Sequence, residues 1–223
     1  MNLSKPDLIR LAGLSAVIGG CCYILVGAFH PANVASSVTG TRWAVVHVLA
    51  CATSFFGVLG LAGLHARQAA RTGWLGLIGM VLLSLWLVVI MGFSFVEAFI
   101  LPRPGTVTPE FVDGWMGMFN GDPSKVDLGA LPTLWTLTAP LYIGGGVLFG
   151  LATYRARVLP RAAAILLVLG TAAAPIAALL PLASQPKIAI PTGLAIAWLG
   201  YALLTERATR SVVPETATLI ASR

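Results

Sequence analysis

Apolar residues in this chain come neither at a strand period nor as narrow helical stripes. They come as long uncharged blocks, broken by short links rich in Arg, Pro or Gly. Six blocks stand out, at 11–29, 44–64, 74–101, 131–154, 162–183 and 188–204. The hydrocarbon core of a bilayer needs about 20 consecutive apolar residues in helical form. Most of the blocks reach or approach that length, and the short last one implies a lean or local thinning of the bilayer. Gly and Pro inside the blocks do not argue against helix, because membrane spans tolerate both. The pattern predicts an all-α polytopic membrane protein, a single domain of six transmembrane helices over 1–204. The polar tail, 205–223, contains Pro214 and reads as disordered.

The one long link, 102–130, carries its own helical signal. Thr108 suits an N-cap, Pro109 the first helical position and Glu110 the first turn. Phe111, Trp115, Met118 and Phe119 then fall on one face. A short amphipathic helix is expected there, lying on the outer leaflet or folded over the mouth of the bundle. "NGDPSK" supplies the turn chemistry that ends it. In two blocks a Pro stands four residues after a Thr, Pro140 after Thr136 and Pro175 after Thr171. Each removes the hydrogen bond to that Thr carbonyl and bends the helix. Gly146 and Gly150 form a small-xxx-small pair, which predicts close helix packing.

Composition agrees with this reading. The chain is 57% hydrophobic and only 10% charged, where soluble domains carry about 25% charge. Net charge is +6, but the basic residues sit between blocks. They therefore report orientation rather than a nucleic-acid partner. Lys5, Arg10, Arg67, Arg71, Arg155, Arg157, Arg161, Arg207, Arg210 and Arg223 fall on one side. Arg42, Arg103, Lys125 and Lys187 fall on the other. That bias places both termini in the cytoplasm and the protein in the inner (plasma) membrane. Lys5 and Arg10 ahead of the first block resemble a signal peptide, but five further blocks favour an uncleaved first helix.

Depth can then be compared between helices. His30, Arg42, His47 and Glu97 share one outer layer, together with the aromatic residues Trp43, Phe93, Phe95, Phe99, Trp135 and Tyr142. Trp115 of the loop helix is added to the same wall. Glu97 is the only carboxylate within a block. Ionisable groups inside spans generally face an interior or a cavity and mark function. Among Phe side chains its neutral, proton-donating form is favoured, and Ser94 precedes it by one turn on the same face. The alternative leaves Glu97 at the water interface within an aromatic belt, because the third block is longer than a bilayer requires.

His47 and Cys51 share a helix face, with Cys22 at similar depth, but this spacing is no metal motif. No metal, cofactor or disulfide framework is expected. "HARQAARTG" reads as a basic turn that sets topology. No phosphate loop, nucleophile elbow, HExxH or CxxC is found.

The segments "GLAGLHARQAARTGWLGLIGM", "VEAFILP", "RARVLPRAAAILLVLG" and "AWLGYALL" resemble a group of bacterial six-span membrane proteins with no assigned chemistry. Glu97 among aromatics also resembles, in architecture and chemistry, the small integral-membrane terpene cyclases. That family uses membrane-embedded acids to protonate prenylated olefins or epoxides, and commonly more than one such acid, where this chain offers Glu97 alone. The likeness implies an acid–base cyclase or isomerase of a lipophilic, prenylated or terpenoid substrate. Glu97, His47 and His30 would be its catalytic groups. Trp43, Phe93, Phe95, Phe99, Trp115, Trp135, Tyr142 and Arg42 would bind the substrate. Two other classes stay open: a small transporter or binding protein for a hydrophobic molecule, and a non-catalytic membrane subunit. Membrane lipid and a lipophilic small molecule are the expected partners. Association into a homo-oligomer or with a partner subunit is left open.

Overall fold

The computed structural model describes residues 4–103, 108–122 and 126–206. Among them the fold is entirely helical. Six α-helices follow in order: α1 (Lys5–Phe29), α2 (Thr41–Phe99), α3 (Pro109–Asn120), α4 (Leu131–Ala156), α5 (Arg161–Ala172) and α6 (Ile190–Thr205). Short 3-10 turns lie at Ala35–Ser37, Ala174–Leu179 and Gln185–Ala189. Four stretches are long and apolar enough to cross a membrane: Pro6–Phe29, Thr41–Phe99, Leu131–Ala156 and Gln185–Thr205. The tail expected to be disordered lies outside the described residues, apart from Thr205 and Glu206.

The 59 residues of α2 would run about 88 Å if straight, nearly three bilayer cores. They fold back instead. Gly73 takes φ 54° and ψ −149°, outside helical geometry and in a region open to residues without a Cβ. The two arms, 41–72 and 74–99, lie antiparallel. The Trp43 indole N–H donates to the Glu97 carbonyl at 2.9 Å, and a Cβ on Gly57 would touch Leu87 at 2.9 Å.

Helix limits differ from the sequence pattern in two places. Helix α1 begins at Lys5, six residues before the apolar block, because Ser4 and Asp7 form a reciprocal capping box. Helix α5 stops at Ala172 instead of running to 183, and the chain continues as a 3-10 turn through Pro175. Pro175 has no N–H to give the Thr171 carbonyl, so the α-helical ladder ends there. The Thr171 hydroxyl turns back to the Leu167 carbonyl at 2.9 Å.

The packing closes a ring: α1 on the first arm of α2, the second arm on α4, α4 on α5, α5 on α6, and α6 back on α1. Helices apolar all round gain little from burial against one another when lipid is the alternative, so close backbone approach does the work. Gly79 sits where a Cβ would lie 2.4 Å from the Phe149 amide nitrogen, and Gly146 where it would strike the Thr171 side chain. The main core, including Leu61, Leu64, Leu83, Phe149, Leu167 and Leu199, fills the ring on the side of Arg67. At that end Arg67 Nε donates to Glu206 Oε2 at 2.7 Å. A second, aromatic cluster of Trp43, Phe93, Leu101, Trp115 and Met116 closes the opposite end.

Candidate functional site

Glu97 lies in the last turn of α2, where a helix leaves its final carbonyls without partners. Each finds one. The Ile100 N–H bonds the Val96 carbonyl, the Arg103 guanidinium takes that of Phe99 at 3.0 Å, and the Trp43 indole takes that of Glu97. The backbone around the carboxylate is thereby pinned to the start of α2. Its side chain is 8% exposed, so of the two surroundings open to it from sequence, this structure has the buried one.

His47 stands one turn after Trp43 and faces Glu97, Nε2 to Oε2 at 3.2 Å. The other imidazole nitrogen, Nδ1, is 2.7 Å from the Trp43 carbonyl. A carbonyl only accepts, so Nδ1 carries a proton and donates it. His30 caps α1 and leaves the helix extended, as a residue before Pro31 must. Its Nδ1 lies 2.6 Å from the Pro31 carbonyl and is protonated for the same reason. The two Nε2 atoms then face each other at 3.3 Å. Neutral imidazoles would oppose two lone pairs there, with a carboxylate oxygen adjoining. The arrangement closes when one proton is shared along Glu97, His47 and His30. Burial, with the His47 ring beside it, holds His30 below its usual titration range.

The other carboxylate oxygen, Oε1, accepts from the Trp115 indole of α3 at 3.3 Å. Asn120 of α3 donates to the Asn33 carbonyl at 2.9 Å. Helix α3 is thus tied by one hydrogen bond to the acid and by another to the α1–α2 link.

Glu97, His47 and His30 open on a cavity of about 140 Å³. Phe93, Trp135, Trp86 and Phe119 form its walls. Phe93 meets Trp135 edge to face at 5.7 Å, and Phe119 meets Trp135 at 4.5 Å. A smaller void of about 40 Å³ lies deeper and shares Tyr23, Thr53, Trp86 and Leu87 with the first. In its wall Tyr23 donates to the Tyr142 hydroxyl at 3.4 Å, and Tyr142 donates to Thr192 Oγ1 at 2.7 Å.

The residues expected from sequence divide accordingly. Glu97, His47, His30, Phe93 and Trp135 meet at the cavity. Trp43 and Trp115 touch the acid and hold it in place without lining the cavity. Tyr142 lines the deeper void. Phe95 and Phe99 do not belong to the wall: they are 51% and 43% exposed and pack on each other. On a helix, residues two positions from Phe93 and Glu97 point away from the face those two share. Arg42 also lies apart, its Nε donating to the Phe29 carbonyl at 2.6 Å, where it caps α1.

Sequence reasoning missed Tyr23, Trp86 and Phe119. A signal was present for two of them. Tyr23 precedes His30 by two helical turns and Trp86 precedes Glu97 by three, which puts each on the same face as its partner. Among the described residues no group of three or more His, Cys, Asp or Glu is placed to hold a metal ion. Cys21, Cys22 and Cys51 are free thiols. Comparison of the chain with protein-family models, with curated proteins and with solved structures finds no match in any of the three.

Proposed function

We propose that this protein is a membrane-embedded acid–base enzyme for a lipophilic substrate, with Glu97 as the acid. The observation that carries this reading is the carboxylate itself. It is buried, lies 3.2 Å from the His47 imidazole with His30 beyond it, and opens on a cavity with aromatic walls. The reading includes a topology of six crossings, with the second and third formed by the arms of α2. Both termini lie in the cytoplasm, in the inner membrane, and α3 lies over the outer mouth. The bias of Arg and Lys toward the Arg67 end supports that orientation.

In this scheme Glu97 transfers its proton to the substrate. The positive charge that develops faces the rings of Trp86, Phe93 and Trp135, whose π faces favour cations. Loss of a proton from the cationic intermediate to the carboxylate, or to the His47 imidazole facing it at 3.2 Å, closes the cycle and restores the shared proton. Isomerisation or cyclisation of a prenylated or terpenoid molecule is the reaction class that fits. Burial of the carboxylate also excludes water, which would otherwise trap a cationic intermediate.

Hydrophobic binding or transport is the second reading, and the deeper void beneath the first cavity favours it. A non-catalytic subunit would instead copurify with a stoichiometric partner.

Native mass spectrometry of the detergent-purified full chain, wild type beside Glu97→Gln, tests the proposal. A lipophilic molecule should accompany the wild type and be lost or altered in the variant. General acid catalysis contributes about 10²–10⁴ in rate, so turnover of that molecule should fall by this factor in Glu97→Gln. Unchanged turnover by a folded variant would sink the reading.

A further inference from the structure

Glu97 is not alone in facing the cavity. Ser94, one turn earlier on the same helix face, lines it as well and is 4% exposed. Hydroxyls elsewhere in the bundle turn back to the carbonyl four residues before them. Thr53 donates to Leu49 at 3.0 Å, Thr136 to Pro132 at 2.9 Å and Thr171 to Leu167 at 2.9 Å. The Ser94 hydroxyl makes no hydrogen bond among the described residues. Ser54 also lacks a partner, but its oxygen is sealed inside the packing. Ser94 is open to a space large enough to supply one. A buried hydroxyl without a partner costs free energy that a ligand oxygen recovers.

The surroundings limit the ligand. Ser94 offers an O–H, and Glu97, one turn along the same face, offers the proton it shares with His47 of the other arm. Two donors side by side suit one acceptor oxygen with two lone pairs, such as a carbonyl. An anionic head is disfavoured, because no Lys or Arg lines the cavity and Arg42 is engaged by the Phe29 carbonyl. The volume of about 140 Å³ is close to the roughly 150 Å³ of an apolar protein cavity that holds benzene. The head is therefore a single ring, with any longer tail outside. The flat walls of Trp86, Phe93, Phe119 and Trp135 suit a planar one.

We propose that the cavity binds the ring-sized head of a neutral lipophilic ketone or quinone, with its carbonyl oxygen between the Ser94 hydroxyl and the Glu97–His47 proton. This rests on the reading of Glu97 as an acid open to the cavity, and it narrows the substrate from hydrocarbon to carbonyl compound.

The test is competition between two probes on the full-length chain in detergent, read by native mass spectrometry. Decyl-benzoquinone carries the carbonyls. Decylbenzene has the same ring size and tail without oxygen. The quinone should be retained about tenfold over the hydrocarbon, as two hydrogen bonds imply. Ser94→Ala should cut that preference about 3–10-fold with an unchanged thermal midpoint. Should Ser94→Ala fail to fold, Ser94→Cys, with its weaker donor, should reduce the preference in the same direction. Ala50→Phe, which fills the cavity from a lining position, should abolish binding of both probes. Equal retention of the two probes overturns the inference. So does a preference that survives Ser94→Ala and Glu97→Gln alike. A stoichiometric metal bridging His30 and His47, found by elemental analysis, overturns it too, because the shared proton would be absent. A native ligand that depends on Glu97 but has no carbonyl overturns this inference and leaves the acid reading standing.

Discussion

The two halves of the bundle pack α2 and α4 differently. Toward Arg67 the helices meet through glycine: Gly60 and Gly63 against α1, Gly79 and Gly145 between α2 and α4, Gly146 and Gly150 against α5. Toward Glu97, Gly20, Gly27, Gly170 and Gly193 still bring α1, α5 and α6 close, but α2 and α4 carry Trp43, Trp86, Phe93, Trp135 and Tyr142. The larger cavity lies among rings that meet edge to face. The polar groups follow the same division. The Glu97 half collects an acid and two imidazoles around open space. In the Arg67 half the Gln68 side chain donates to Thr153 at 2.8 Å inside packed helices.

Breaking the chemistry of the Glu97 half should have the largest effect. His47→Leu and Glu97→Leu each leave a buried partner unmatched, which costs about 3 kcal/mol or more. The double variant should cost less than the sum, with a coupling of about 1–3 kcal/mol in thermal or denaturant unfolding. Additive losses would mean that the two side chains do not interact.

Next is the glycine half. Gly79→Leu drives a side chain into the Phe149 backbone and should destabilise the fold by about 2–3 kcal/mol. Gly92→Leu serves as the control, because nothing lies within 4 Å of its added Cβ. Similar midpoints for the two variants would remove the packing contrast between halves.

A smaller effect is expected at the Arg67–Glu206 pair. Hydrogen bonding from Arg67 holds the Glu206 carboxyl below its ordinary value of 4.5. The folded state therefore binds that proton less readily than the unfolded state does. Stabilisation by the pair is complete above the ordinary value and is lost as pH falls through the depressed one. The side chains are 38% and 37% exposed, so screening keeps the contribution below about 0.5 kcal/mol. The difference in thermal midpoint between wild type and Glu206→Gln should shrink on acidification. A difference that grows would reverse the assigned sign.

Least of all is expected from Phe95→Leu, since that ring faces away from the cavity. Ligand retention should stay within about twofold, as for exposed substitutions generally. A marked loss would return Phe95 to the wall and remove the division between inward and outward rings.

Particular residues show what could be read in advance. Glu97 was legible because a lone carboxylate in an apolar block is costly and therefore conspicuous. His30 and His47 followed from depth, which a helix converts directly from sequence position at 1.5 Å per residue. Phe95 and Phe99 were misjudged because depth places a residue along the axis and says nothing of its rotation. Trp86 was passed over for the complementary reason, since it lies three turns from Glu97 but on the same face. Ser94 could be placed near Glu97, yet its missing hydrogen bond could not be foreseen.

Sequence by itself determined the helical class, the apolar blocks and the layer in which the ionisable groups lie. These follow from local composition and from the fixed rise of a helix. Tertiary structure alone decided that α2 folds back at Gly73 to bring residues 43 and 97 together. It alone decided that His47 presents Nε2 to the acid, and that aromatic rings stand far enough apart to leave a cavity. Those outcomes depend on how helices rotate and approach one another, and contacts between residues distant in the chain set both.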